Sequence, residues 1–81
     1  MTEQLKNVLE AFSELCGDPT VPRNIKQKVD SVTKLLKDAS MELPLRKSKA
    51  MYELEEIVED VNIDPYVRTQ IYNAIGLLER C

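Results

Sequence analysis

Glu55 with Glu59, and Glu56 with Asp60, stand four residues apart, the spacing that sets two carboxylates side by side on one helix face. In helical bundles such pairs can hold a divalent ion, but several helices then contribute and histidine completes the ligand set. This chain has no histidine, which removes the commonest general base and metal ligand near neutral pH. The acidic pairs therefore read as a solvated face. No glycine-rich phosphate loop, Cys-x-x-Cys pair or nucleophile elbow is present. Cys16 falls on an apolar helical stripe and Cys81 is the last residue, so they read as a core thiol and a terminal thiol rather than a disulfide. These residues point away from catalysis: not an enzyme, no cofactor, no metal site and no small-molecule substrate.

The remaining candidates are charges and tyrosines. Net charge is −3, distributed in blocks: −3 over residues 1–22, +5 over 23–49 and −5 over 50–81. Alternating blocks favour complementarity within or between chains over a dedicated polyanion site. Arg23, Arg46, Lys47 and Lys49 lie near expected helix N-termini, and Glu53, Glu55, Glu56, Glu59 and Asp60 lie near a helix C-terminus. Both placements oppose the helix dipole, so local helix stability does not account for them. Pairing within the fold, or with a partner, would. Asp18 and Asp60 each precede a base by eight residues, Lys26 and Arg68, as expected for ties between helix ends.

Leu45, Tyr52, Tyr66 and Tyr72 fall off the apolar stripes. Leu45 and Tyr52 are two turns apart on one face, while Thr69, Tyr72 and Gly76 line another. Tyrosine is favoured at protein–protein contacts. Leu45, Arg46, Tyr52, Arg68 and Tyr72 are therefore the expected interaction residues, with a protein partner or a second copy as the ligand. The less favoured partner is nucleic acid, bound by Arg23, Lys26, Lys28, Arg46, Lys47 and Lys49. The pI of about 4.9 and the four aromatic residues weigh against it.

The elements that must carry these side chains are four helices. The first is expected over about Thr2–Cys16, with Thr2 as N-cap and Gly17 as a left-handed exit. The second starts with Pro22 at its first helical position and fades near Asp38 to Ser40. The third is capped by Ser40, has Leu43-Pro44 in its opening turn, and runs to about Asp60 with Leu43, Ala50, Met51, Leu54, Ile57, Val58 and Val61 as its stripe. The fourth opens with Asp64 as N-cap and Pro65 at the first helical position.

The pattern also repeats after 42 residues. Glu14, Asp18, Leu35 and Leu36 recur as Glu56, Asp60, Leu77 and Leu78, and Phe12, Val21, Ile25 and Val29 match Leu54, Ile63, Val67 and Ile71 in character. Such a period is the length of a two-helix unit. The expected fold is all-α, with four antiparallel helices in a single domain over 1–81. It forms as two similar hairpins, about 2–38 and 41–80, either stacked as in HEAT-type repeats or closed as a four-helix bundle. An 81-residue chain buries only about 60–65 % of its unfolded surface, leaving little room for a substrate cavity. No membrane span or signal peptide is visible, and the expected location is the cytoplasm.

The run Asp18-Pro19-Thr20-Val21-Pro22-Arg23-Asn24-Ile25 resembles a small archaeal uncharacterised protein family, number 0147 of the UPF series, whose members carry a similar Val-Pro-Arg-Asn-Ile string. A second family stretch corresponds to Asp60, Val61, Asn62, Ile63, Asp64, Arg68, Thr69 and Tyr72, departing at Val61 and Asp64 where the family favours proline. The second stretch also looks like the turn between helices of HEAT-type repeats. The resemblance spans nearly the whole chain. It implies an archaeal, cytosolic, all-helical protein with no established activity.

Overall fold

In a computed structural model that describes residues 3–80, the chain forms α1 (Glu3–Gly17), α2 (Arg23–Leu36), α3 (Leu43–Val58) and α4 (Pro65–Glu79). Each helix packs on its neighbours in sequence, and α1 also packs on α4. That last contact decides between the two expected packings: the ring closes as an up-and-down bundle. Closure gives each of the terminal helices α1 and α4 a second helical neighbour.

The core is apolar throughout. Leu5, Val8, Phe12 and Leu15 of α1 meet Ile25, Val29, Val32 and Leu36 of α2, Ala50, Leu54, Ile57 and Val58 of α3, and Val67, Ile71, Ala74, Ile75 and Leu78 of α4. Among the described residues no polar or charged side chain is buried. The helical stripes read from sequence are thus the faces that meet.

The connections differ from expectation in ways that share one cause. Each is the same turn, built on an aspartate that accepts a hydrogen bond from the backbone N–H two residues on. Asp18 Oδ1 accepts from Thr20 N, Asp38 Oδ1 from Ser40 N and Asp60 Oδ1 from Asn62 N, each at 2.9 Å. The aspartate carbonyl then accepts from the next N–H, that of Val21, Met41 or Ile63, at 3.2, 3.3 and 3.2 Å. The helix ends close in a tightened last turn, the N–H groups of Asp18, Asp38 and Asp60 donating to the carbonyls of Leu15, Leu35 and Ile57, so no left-handed residue is needed. Gly17 accordingly ends α1 with no positive φ.

Ser40 does not cap α3. Its N–H and its hydroxyl both go back to Asp38, and Glu42 is the N-cap, without a side-chain bond. Pro22 is likewise the N-cap of α2 rather than its first helical residue. Because α3 stops at Val58, Val61 leaves the stripe and is 88 % exposed, while Val21 and Ile63 turn inward and plug the end of the core. The expected start of α4 holds: Asp64 Oδ1 accepts from Tyr66 N at 2.8 Å, with Pro65 first in the helix. The Thr2 cap and Cys81 lie outside the described residues.

Candidate interaction surface

Among the described residues the large exposed apolar side chains all lie beyond α2: Leu45 at 48 %, Tyr52 at 65 %, Val61 at 88 %, Tyr66 at 54 % and Tyr72 at 55 %. Leu45 and Tyr52 share the outward face of α3, opposite Ala50, Leu54 and Ile57. The Tyr52 phenol donates to the Glu56 carboxylate one turn on, which holds the phenol in its protonated form and raises its pKa. On α4, Tyr72, Asn73, Gly76, Leu77 and Arg80 border a shallow depression on the outside of the helix. Tyr52 lies six residues before the end of α3 and Tyr72 seven after the start of α4, so both stand roughly 10 Å from the turn joining the two helices.

The repeat makes this surface unusual. Shifted back by 42 residues, the positions of Leu45, Tyr52, Val61, Tyr66 and Tyr72 hold Glu3, Glu10, Pro19, Asn24 and Asp30, and all five of these are exposed too. The same places on the same scaffold are therefore polar or proline in the first hairpin and apolar in the second. Core packing does not require the difference.

Arg46 and Arg68, expected beside the tyrosines as anchors, both make hydrogen bonds within the scaffold. Arg46 Nη1 donates to the carbonyl of Leu36 at 2.8 Å, and Arg68 Nη2 to the carbonyl of Asp60 at 3.2 Å. Each arginine begins one helix but lies against the C-terminal end of the helix before it. That is where the dipole favours a cation. The placement of Arg46, unfavourable on α3 alone, is thus favourable on the end of α2. Each Nε is enclosed without an acceptor among the described residues. The sequence signal for this role was available: Asp38 precedes Arg46 by eight residues, just as Asp18 precedes Lys26 and Asp60 precedes Arg68. The middle member is invisible to a 42-residue comparison because it joins the two units.

The other bases do not gather on one stripe. Arg23 and Lys26 border a hollow with Cys16, Gln27 and Asp30 on the α1 side of α2, whereas Lys28 and Ser31 face Glu53 and Glu56 on the α3 side. Lys34 pairs with Asp30 within α2 at 3.2 Å. Cys16 is half-buried, with its Sγ 3.7 Å from the carbonyl oxygen of Lys26. Burial first, then the nearby Asp30 charge, push its thiol pKa up. A thiol held in its protonated form is a poor nucleophile. Among the described residues no three of His, Cys, Asp and Glu converge as metal ligands, and no helix is long and apolar enough to cross a membrane.

Comparison with known proteins agrees with this architecture. A solved structure titled as an unknown-function protein, MMP1188, superimposes with a TM-score of 0.91 at 35 % identity, over 98 % of this chain and 90 % of that one. A structure from Thermoplasma acidophilum, titled as a member of uncharacterised family UPF0147, also gives 0.91, at 28 % identity over 95 % and 91 %. A UPF0147 protein of Thermococcus kodakarensis is 33 % identical over 99 % of this chain and 98 % of its own length. One from Archaeoglobus fulgidus is 36 % identical over 94 % and 86 %. The family model matches residues 1–81 throughout, and the chain belongs to the uncharacterised protein family UPF0147.

Proposed function

We propose that the protein is a non-enzymatic helical contact module of the cytoplasm, which binds another protein chain through the outer face of its second hairpin. The observation that carries this reading is the mismatch at repeat-equivalent positions: Leu45, Tyr52 and Tyr72 stand where the first hairpin has Glu3, Glu10 and Asp30. Exposed tyrosine and leucine gain little from water and contribute to binding once covered. The core is filled by aliphatic side chains and Phe12, and the Cys16 thiol is held protonated, which supports binding rather than catalysis. Nucleic-acid binding through residues 23–49 has weaker support, because Arg46 is occupied on Leu36 and Lys28 faces Glu53 and Glu56.

The test installs the first hairpin's own residues in the second. A Leu45→Glu, Tyr52→Glu, Tyr72→Asp triple variant should keep its helicity and cooperative melting, yet lose any association of the wild type with itself or with a protein from cells of the same source. Equal retention of partners by wild type and triple variant would remove the reading.

A further inference from the structure

Helix α3 carries its charge back to front. Arg46, Lys47 and Lys49 occupy its first half, Glu53, Glu55 and Glu56 its second, and Glu59 is its C-cap. Isolated, that order sets bases at the positive end of the dipole and acids at the negative end. Arg46 is accounted for by the Leu36 carbonyl, and Glu53 lies beside Lys28. Lys49, Glu55, Glu56 and Glu59 remain on the exposed side.

Along the outward face run Leu45, Lys49, Tyr52, Glu56 and Glu59. Their steps of four, three, four and three residues are those of the seam between two packed helices, and all five are exposed. Read in reverse, the seam complements itself. Glu59 falls opposite Leu45, Glu56 opposite Lys49, and Tyr52 opposite Tyr52.

We propose that this face of α3 packs antiparallel against the same face of a second copy of the chain, about a two-fold axis beside Tyr52. The inference rests on the contact reading above and names its partner. Lys49 of each copy meets Glu56 of the other, so one pair of residues gives two ion pairs by symmetry. The aliphatic stem of Glu59 covers Leu45, and the two Tyr52 rings stack at the centre. The antiparallel arrangement also lays each acidic helix end beside the partner's helix N-terminus. There the dipole favours the acids that are misplaced on their own helix.

Sedimentation equilibrium over about 10 µM to about 1 mM tests this, with circular dichroism melts confirming that each variant folds. The wild type should form a dimer that weakens as salt is raised. Lys49→Glu alone, or Glu56→Lys alone, replaces two attractions with two repulsions and should weaken the dimer about tenfold or more. The double variant Lys49→Glu, Glu56→Lys should recover most of the loss, because the exchanged charges again meet their opposites. A different partner protein would not follow that exchange. A wild type monomeric across the range, yet still retaining a foreign protein through Leu45, Tyr52 and Tyr72, overturns self-pairing and leaves the contact reading standing. A dimer indifferent to both single reversals and to the triple variant uses another face and overturns both. A double variant no better than the singles overturns the antiparallel register.

Discussion

Phe12 and Leu54, Val29 and Ile71, and Leu36 and Leu78 occupy matching places in the two hairpins, and all six are fully buried. Outside, where Glu14 and Asp18 still recur as Glu56 and Asp60, other places fail to match. Glu10 becomes Tyr52, Asp30 becomes Tyr72, and the salt-bridged Lys34 becomes Gly76. A bundle needs both inner faces alike because each closes the same core. It makes no such demand on the outer faces, which are free to diverge, and the second hairpin exposes leucine and tyrosine where the first exposes acids.

The shared core is the place to break the likeness most severely. Phe12→Ala should cost about 3–5 kcal/mol and Leu54→Ala about 2–5 kcal/mol in urea unfolding, each by lost burial plus a residual cavity. A domain this small has little stability to spare, so both variants should be largely unfolded at moderate temperature. If Leu54→Ala were tolerated while Phe12→Ala unfolded the chain, the two hairpins would not share one core.

The helix-end arginines give the next effect. Arg46→Ala and Arg68→Ala each remove a charge-assisted bond, to the last carbonyl of α2 at 2.8 Å and to the Asp60 carbonyl in the turn after α3 at 3.2 Å. Both should lower stability by about 1–2 kcal/mol, less than a fully satisfied ionic bond because each Nε already lacks an acceptor. Lys26, at the corresponding place after the first turn, is a point charge without the planar fork. Lys26→Ala should therefore cost under about 0.5 kcal/mol. Equal losses at all three positions would make the arginines ordinary surface charges.

The helices and their inner faces were legible in the sequence because apolar spacing alone dictates them; Asp64-Pro65 fixed the start of α4 for the same local reason. Closure of the ring was not, since α1–α4 packing depends on side chains more than 50 positions apart with no local mark. The roles of Arg46 and Ser40 were obscured by reading each against its own helix. Both belong to the turn built on Asp38, which closes α2. Tyr52 and Tyr72 could be marked as exposed from their off-stripe positions. Val61 could not, because its burial hinged on whether α3 ran three residues further.

Acid sensitivity separates the turns in turn. Hydrogen bonds from Thr20, the backbone N–H most, then the hydroxyl, hold the Asp18 carboxyl below its ordinary 3.8. Asp38 is lowered likewise, first by the Ser40 hydroxyl and then by its N–H. A folded-state pKa below the unfolded one means the stabilisation is complete above about 3.8 and is lost as pH falls through the lowered value. Melting temperature should therefore drop below about pH 4, and Asp18→Asn with Asp38→Asn should flatten that drop. An unchanged acid limb in the double variant would assign the loss to other carboxylates.

The smallest effect bears most directly on the outer faces. In the first hairpin Asp30 and Lys34 form an ion pair across one turn of α2, and the same two places on α4 hold Tyr72 and Gly76. Glycine inside a helix costs roughly 0.8–1.0 kcal/mol relative to alanine. Among the described residues nothing uses the missing side chain: apart from the helix's own backbone, a Cβ on Gly76 would meet no atom within 4 Å, and its φ is not positive. Gly76→Ala should therefore stabilise the monomer by about 0.5–1 kcal/mol in urea unfolding. Failure to stabilise would mean that α4 needs the glycine for its own geometry, and the contrast with Lys34 would then reflect backbone rather than surface. A stabilised monomer would leave the empty volume beside Tyr72 as a feature of the outer face alone, one that only a chain approaching from outside could use.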